Sequence, residues 1–533
     1  MLPAMPSDAG SPSAGPSGDP AGAEAPDEGS GPPADPPAAP APPRRGRAHR
    51  LAALLPAPRD DGLIEVARAV RDLVRGRVPR ATLNAQRADL EEERRRLERG
   101  RARLAEGDPA GALDEVATVE RLRPAGKPAA ALRLAAQRSG AIRGRQARRS
   151  AAIPEVLAAI EHLRQLGVPN PTVVLYHQPS PDNPFQALLY RRAWERGVAP
   201  VPLWDLADLD AIPAAVPAGT RLVLHLHWVN RVLHGASGPE EATTRLATFE
   251  SRIRRAVAAG VTVVWTAHNV LPHDTPFEEA DTKLRRIIVE QATMIHVLAA
   301  STPELAAALY RIPPEKVVHV PLPTFRGAYA DVVDRPAARF ALGLPADAYV
   351  LALVGGLRPH KGLDSLLDAF DLAAKDEPRL RLLIAGSPSR GEGIEAFLAR
   401  ASRDPRINLH ARPIPSDDMQ LFLRAADVAM LPYLRTLNSA VLMMVLAFDL
   451  PVIAPAVGGI GETIEPAMSV SFEPGDAKSL AAAILAARDL PPEGVRAATR
   501  RISEAHAAEI VSDQFLSALL DALEATPAPT PPG

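Results

Sequence analysis

The chain of 533 residues contains no cysteine. This excludes disulfides, thiolate zinc sites and thiol nucleophiles, and it leaves the redox compartment open. Acidic and basic residues nearly cancel, with a net charge of -2, so the overall charge does not indicate a nucleic-acid partner. No apolar run approaches the roughly 20 residues of a membrane-spanning helix, and the N-terminus lacks a basic-then-apolar signal pattern. A cytoplasmic protein of two or three domains is expected.

The first part of the chain has few large apolar side chains. Residues 1–58 are rich in Pro, Ala, Gly and Ser and end in a basic run at 44–50, which predicts a disordered segment and linker, because so little apolar surface cannot offset ordering entropy. The basic run could contact anionic lipid or nucleic acid, but a solvated linker is the favoured interpretation. Residues 59–150 have helical periodicity and predict an α-helical extension with a helical hairpin. We interpret it as a packing appendage, with partner binding as the alternative.

The rest of the chain alternates apolar strands with amphipathic helices, which predicts an α/β fold of two doubly wound, Rossmann-like domains facing a cleft. Their boundaries are expected at 155–330 and 335–488. Helices over 489–525 are expected to pack back, and 526–533 to form a disordered tail. The predicted strands are 173–176, 221–228, 261–266, 294–297 and 316–320 in the first domain, and 349–354, 380–386, 407–409, 428–431 and 452–454 in the second.

The candidate ligand-binding residues of the second domain lie mainly in one turn. Strand 349–354 is continuously apolar, as in a parallel strand buried on both faces, and Gly355 and Gly356 then let the backbone turn and a ligand approach closely. Arg358 and Lys361 follow at once, before a helix begins. Glycines, two cations and a helix N-terminus at the carboxyl end of a parallel strand favour a site for a phosphate group. An ordinary turn with solvated basic residues is the alternative.

Four segments in this order resemble the group 1 family of glycosyltransferases, whose two-domain architecture is called GT-B; they are 355–362, 383–386, 425–433 and 450–459. The resemblance covers about 170–485. It implies an enzyme that moves a hexose from a nucleotide diphosphate sugar, held by the second domain, to a glycan or lipid-linked acceptor, held by the first. It implies no cofactor besides the donor substrate and no nucleic-acid partner.

The resemblance also assigns roles to residues. Arg358 and Lys361 are expected to hold the donor diphosphate and stabilise the leaving group, a task otherwise given to a metal ion, so no metal is expected. Gly355 and Gly356 would allow close backbone approach. Further donor contacts are expected from the loop 433–439 and from the start of a later helix, namely Tyr433, Thr436, Asn438, Ser439 and Glu462. For Glu462 the alternative is a carboxylate that stabilises the helix dipole.

Two features depart from the family pattern. Many retaining members have two glutamates eight positions apart before the strand 452–454, and Thr436 and Met444 occupy those positions here. Many relatives also have the first cation where Gly356 lies, whereas here it is two residues later. The local sequence is similar to a divergent bacterial subset that builds exopolysaccharides, which favours an inverting enzyme and GDP-mannose. A retaining enzyme, or an inactive scaffold that binds a partner through its helical N-terminus, is the alternative.

An inverting displacement needs a general base in the first domain. His268 ends a buried strand, where relatives have a histidine, and Asp274 is the carboxylate alternative. Other polar residues near these strand ends are His225, His227, Asn269, His273, Glu278 and Glu279. We expect His225 to be a core histidine and Trp228 to stack on a sugar or plug the interface. Location at the inner face of the membrane, with peripheral membrane contact, is left open for a lipid-linked acceptor.

Overall fold

The computed structural model describes residues 95–96, 98–100, 102–103, 152–180, 183–272 and 275–525. The predicted disordered segments at 1–58 and 526–533 lie outside this range, as do most of the helical extension and the candidate residues His273 and Asp274. The described residues between 95 and 103 are helical. In the part of the chain that is described, every helix is too short or too polar to cross a bilayer.

The first domain is a parallel sheet of six strands flanked by helices. Its order is β2-β1-β3-β4-β5-β6. The strands are β1 Thr172–His177, β2 Val198–Leu203, β3 Arg221–Leu226, β4 Thr262–Ala267, β5 Met294–Val297 and β6 Val317–His319. The helices are α1 Ala152–Gln165, α2 Phe185–Leu189, α3 Ile212–Ala215, α4 Pro239–Ala258, α5 Glu278–Gln291 and α6 Thr302–Ala306.

Strand β2 was not predicted, and its prolines explain why. Pro200 and Pro202 lack the N–H group that an interior strand must donate, so the segment does not resemble a strand. The structure places β2 at the edge of the sheet, where it pairs only with β1. An edge strand tolerates proline because one row of its N–H groups has no partner strand.

The second domain repeats this architecture, with strand order β12-β11-β10-β7-β8-β9. Its strands are β7 Tyr349–Val354, β8 Leu380–Ala385, β9 Ile407–His410, β10 Val428–Met430, β11 Val452–Ile453 and β12 Ser469–Val470. Its helices are α7 Arg335–Ala341, α8 Leu363–Ala373, α9 Glu392–Ala401, α10 Met419–Ala425, α11 Ala440–Leu446, α12 Gly458–Thr463 and α13 Ala477–Ala486. Strand β12 was not predicted, because a strand of two residues is too short to show a recognisable apolar pattern. The expected α/β architecture of two Rossmann-like domains is confirmed.

Two helices, α14 Pro492–Ala505 and α15 Ala508–Ala525, close the chain. Helices were expected over 489–525, and the structure forms these two, separated at His506. The break is stabilised by two contacts with the segment that leaves the first domain: His506 Nδ1 lies 2.9 Å from Leu322 O, and Thr324 N donates to His506 O at 2.7 Å. Helix α15 then packs on the first domain, where Phe515 is fully buried.

Candidate donor and acceptor site

The glycine turn after β7 is a place of close backbone approach. Gly355 has a φ of 96°, in the region that glycine favours. At Gly386, which follows β8, an added Cβ would lie 1.8 Å from the carbonyl oxygen of Gly355, so no side chain fits. Gly362 is equally constrained, since its Cβ would lie 2.1 Å from Pro432 O. These glycines bring the ends of β7, β8 and β10 together around one turn.

Lys361 lies within this turn and is only 9% exposed. Its Nζ is 3.5 Å from the position of a Cβ at Gly355, and it lies 5.3 Å from the centre of the Tyr433 ring. Among the described residues, its ammonium group has no hydrogen-bond acceptor and no acidic partner. A nearly buried cation without an anion is unusual, because burial of a charge is costly unless it is paired.

Arg358 lies beside Lys361 and folds back over the turn. Its Nη1 donates to the carbonyl oxygens of Leu357 at 3.0 Å and Ser387 at 3.1 Å. The guanidinium carbon is 3.4 Å from the position that a Cβ at Gly356 would occupy. The guanidinium therefore covers Gly356, the position at which the sequence comparison expected a cation, and its other N–H groups remain able to bind an anion.

The loop 433–439 connects this turn to the first domain. Thr436 Oγ1 donates to Asn438 O at 2.7 Å within the loop, and Ser439 Oγ accepts from Leu442 N at 3.1 Å as the N-cap of α11. Asn438 Nδ2 donates to the carbonyl oxygen of His268 at 2.8 Å, across the cleft. These three side chains thus shape the loop and join the domains. Their predicted contacts with a donor stay predictions.

Glu462, near the end of α12, also bridges the two domains. Its carboxylate accepts from Ala300 N at 2.8 Å, Ser301 N at 3.0 Å and Ser301 Oγ at 2.6 Å, just before helix α6. Burial raises the pKa of Glu462, but the hydrogen bonds from Ser301 and Ala300 outweigh it, so that the net pKa is lowered. The carboxylate therefore stabilises a helix start in the first domain. Its predicted contact with the nucleotide is untested.

On the first domain, His268 follows β4 and is 8% exposed. One face of its ring stacks on Trp228, with centres 4.3 Å apart, and the edge of Phe185 approaches at 5.1 Å. Its Nε2 lies 3.1 Å from His227 Nδ1. Trp228 thus holds the histidine ring, which sequence reasoning did not foresee. The alternative base, Asp274, is outside the described residues.

Sequence reasoning missed the polar network behind His268. His225 is fully buried, as expected for a core histidine, and contacts Tyr190 and Thr266. His296, on the neighbouring strand, continues the network. The available signal was a set of polar residues on adjacent apolar strands, since Thr266 pairs with His296 in the sheet register. Within the described range, no cluster of three or more His, Asp or Glu side chains could hold a metal ion.

Comparison with known proteins agrees with this geometry. Residues 348–489 match the family described as glycosyl transferases group 1. A D-inositol 3-phosphate glycosyltransferase of Saccharomonospora viridis is 31% identical over 285 residues, covering 49% of this chain and 64% of the relative. Its namesake from Kineococcus radiotolerans is 35% identical over 161 residues, covering 28% of this chain and 37% of the relative. The chain thus spans less than two thirds of the length of either relative.

Among solved structures, a crystal structure of Anabaena HepE in complex with UDP matches with a TM-score of 0.50 and 14% sequence identity. The match covers 66% of this chain and 100% of that chain, so it extends over both domains described above. At this identity the match establishes the fold alone. The chain therefore has the GT-B fold, and its residues 348–489 are similar to the family described as glycosyl transferases group 1.

Proposed function

We propose that this protein is a glycosyltransferase that moves a hexose from a nucleotide diphosphate sugar to an acceptor hydroxyl, with inversion and without a metal ion. The observation that carries the proposal is the ammonium group of Lys361, which is nearly buried beside Gly355 and has no anionic partner among the described residues. A diphosphate at this place would supply the missing anion. An added Cβ at Gly355 would lie only 3.5 Å from the ammonium group, so a side chain at this position would crowd it.

The chemistry of transfer fits two cations at this position. When the bond between the sugar and the diphosphate breaks, negative charge develops on the leaving oxygen, and fixed cations in a partly dehydrated site stabilise that charge. Arg358 can share the diphosphate with Lys361, because an arginine fork binds phosphate oxygens through paired N–H groups. The two side chains together would supply the charge stabilisation that a metal ion provides in other transferases.

On the acceptor side, His268 is the proposed general base. It takes the proton of the acceptor hydroxyl as the oxygen attacks the anomeric carbon, and the nucleoside diphosphate leaves from the opposite face. The segment from Tyr433 to Val441 supports this pairing of sites: Val441 contacts Gly355, while Asn438 binds the backbone of His268. The donor cations and the base are thereby linked through one short segment.

The candidate donors and acceptors can be compared directly with a panel of substrates. GDP-mannose is the donor that the sequence favours, and the UDP in the HepE complex makes a uridine donor the competing choice. The acceptor is proposed to be a glycan or a lipid-linked glycan, and the names of the two relatives add a phosphorylated cyclitol to the panel. Cytoplasmic location and contact with the inner face of the membrane stay predictions.

The first experiment is nucleotide binding measured by thermal shift with GDP, UDP and ADP at millimolar concentration, without metal and with excess chelator. We expect stabilisation by at least one of them, because a ligand that binds only the folded state stabilises it by mass action. Lys361→Met should remove the effect, whereas Lys375→Met, on the exposed surface of the same domain, should keep it. Absence of stabilisation by all three nucleotides in wild type would contradict the proposal.

A second candidate function is an inactive scaffold, which is favoured by Thr436 and Met444 at the two positions where many retaining relatives have glutamates. Incubation with a panel of nucleotide sugars and acceptors separates the two functions. Binding of a nucleotide without hydrolysis or transfer of any sugar would favour the scaffold. The anomeric configuration of a transferred sugar, read by NMR, would distinguish inversion from retention.

A further inference from the structure

A chain of hydrogen bonds runs through the core of the first domain and begins at a group that can only accept. His296 Nε2 lies 2.8 Å from the carbonyl oxygen of Val320. Since a carbonyl oxygen has no proton to give, His296 must carry its proton on Nε2 and donate it. In the neutral ring Nδ1 is then an acceptor, and its partner, Thr266 Oγ1 at 3.0 Å, must be the donor.

The next two hydrogen bonds of this series also have a fixed direction. The hydroxyl of Thr266 has given its proton to His296, so it accepts from His225 Nε2 at 2.7 Å. His225 Nδ1 is therefore an acceptor, and Tyr190 donates its hydroxyl proton to it at 2.5 Å. Each link leaves one arrangement of protons, because reversing any of them would place two acceptors face to face.

The last two hydrogen bonds of the series connect Tyr190 to His227 and His227 to His268. The oxygen of Tyr190 is left as an acceptor, and His227 Nε2 lies 3.5 Å from it, the longest contact of the chain. A proton on His227 Nε2 makes His227 Nδ1 an acceptor, so His268 donates from Nε2 at 3.1 Å. Nδ1 of His268 is then the nitrogen without a proton. That is the state a general base needs.

The surroundings keep the histidine rings of this hydrogen-bond network neutral. His225, His227 and His296 are fully buried; Phe515 stacks on His225 and lies tilted against His296, and Trp228 stacks on His268. Burial is the main cause that lowers the pKa of His268 to about 3 and that of His296 to about 4, and it holds the pKa values of His225 and His227 well below the usual range. Neutral rings have one donor and one acceptor each, which is the condition for a directed chain.

We propose that Thr266, His296, His225 and Tyr190 are positioning residues that set the tautomer of His268, so that its Nδ1 is free of a proton and available to the acceptor hydroxyl. This deepens the function proposed above and rests on it only for the consequence in catalysis. When Nδ1 takes the proton, the Nε2–H group of His268 remains bonded to the neutral His227, which stabilises the positive ring. The opposite tautomer would present an N–H group and could not accept.

The test reads the tautomers directly. Protein with ¹⁵N-labelled histidine is studied by NMR at neutral pH, where ring nitrogens with and without a proton resonate far apart, and His268→Gln assigns the signals. In wild type we expect His268 to have a protonated Nε2 and a bare Nδ1. A bare Nε2 on His268 would overturn the proposal, whatever the activity of the protein.

Thr266→Val tests the coupling over a distance, because valine has the same shape without the hydroxyl. We expect the His268 and His227 ring signals to move towards a mixture of tautomers, although neither residue touches the substituted side chain. Thr266→Ser, which keeps the hydroxyl, should restore the wild-type signals. Thr499→Val, at a buried threonine in α14, controls for loss of a hydroxyl elsewhere in the fold.

These experiments distinguish failure of the positioning role from failure of the proposed function. Unchanged His268 signals in folded Thr266→Val would overturn the positioning role even in an active enzyme. If transfer is observed, Thr266→Val should lower kcat by on the order of tenfold at unchanged KM, as loss of the productive tautomer does. If no sugar is transferred but the NMR result holds, the network stands and the catalytic proposal fails. Circular dichroism confirms that each variant is folded.

Discussion

The carboxyl ends of the two sheets have similar backbones, but their buried polar side chains differ in charge and in hydrogen bonding. In the second domain, Lys361 is nearly buried and has no acidic partner among the described residues. In the first domain, His225, Thr266 and His296 are buried as deeply, but each is hydrogen-bonded and neutral. One side of the cleft therefore holds a charge that has no acidic partner among the described residues, and the other holds a polar cluster whose members are hydrogen-bonded to one another.

This difference indicates what each side is built to bind. An unpaired buried cation costs stability in the free protein, which is recovered when an anion arrives. A satisfied neutral network costs little and holds its members in one orientation, which suits the recognition of an uncharged hydroxyl. This difference supports the proposal that the second domain binds a diphosphate and the first domain the acceptor, and substitutions on each side should have separate effects.

The largest effect is expected on the first domain. His268→Ala removes the proposed base, so turnover should fall by at least about a thousandfold, within the range that general base catalysis contributes. Nucleotide affinity should stay within about twofold of wild type, since the donor cations lie in the other domain. Steady-state kinetics and nucleotide titration check the two parts.

The alternative base gives a control for this prediction. Asp274→Asn keeps the size of the side chain and removes its charge, and it should leave turnover within about threefold of wild type. The assignment of the base to His268 would be wrong if Asp274→Asn abolished transfer while His268→Ala remained active.

The next largest effect is expected on the second domain. Lys361→Ala and Arg358→Ala should each lower turnover by about a hundredfold or more, because charge stabilisation of the leaving diphosphate is lost. Both should also weaken nucleotide binding, in contrast to His268→Ala. Arg403→Gln, at an exposed position of the same domain, is the matched control. Turnover within threefold of wild type in both variants would remove the cations from the mechanism.

The two sides also differ in how far the sequence predicts them. The turn of Gly355, Gly356, Arg358 and Lys361 is local, because its glycines, cations and following helix lie within eight residues of one another. Most of the strands were likewise recognised from short, largely apolar runs of the sequence. Local patterns therefore predicted the α/β architecture and the glycine turn with its two cations, whose role in donor binding stays a prediction.

The contacts between the domains could not be predicted in this way. Glu462 is bonded to Ser301, 161 positions earlier in the chain, and Asn438 to the backbone of His268, 170 positions earlier. These partners depend on how the loops of two separately folded domains meet. The histidine network has the same origin, since Tyr190, His225, Thr266 and His296 come from four different elements. No spacing in the chain brings them together.

The neutral network predicts a pH dependence of stability. The four histidines of the network are buried, and burial is the main cause that lowers the pKa to about 4 for His296 and to about 3 for His268 and holds it well below the usual range for His225 and His227. Unfolded histidines titrate near pH 6.5. Between about pH 6.5 and 4 the unfolded state therefore binds protons that the folded state excludes, and the free energy of unfolding should fall as the pH is lowered.

Each such histidine contributes up to about 1.4 kcal/mol per pH unit within that interval. All four tryptophans lie in the first domain, so urea unfolding followed by tryptophan fluorescence reports on the domain that contains the network. Above pH 7 these groups should add no slope. His234→Gln, at an exposed histidine, should leave the pH dependence unchanged. A first domain equally stable at pH 5 and pH 7 would contradict neutral burial of the network.

The smallest expected effect is a loss of stability on substitution of Glu462, which joins the two domains. Glu462→Gln keeps the shape of the side chain but weakens its bonds to Ala300 and Ser301 by removing the charge. We expect the free energy of unfolding to fall by about 1 kcal/mol, in line with a partly exposed charged hydrogen bond. Glu473→Gln, at an exposed carboxylate of the same domain, should change it little.

This substitution also separates the two roles considered for Glu462. If the carboxylate serves the contact between domains, Ser301→Ala should remove most of the same stabilisation, and the double variant should lose less than the sum of the two single variants. Nucleotide affinity would then stay within about twofold of wild type. If Glu462 binds the donor, nucleotide affinity should fall by tenfold or more in Glu462→Gln alone, because Ser301 lies in the other domain, where its hydroxyl donates to the Glu462 carboxylate.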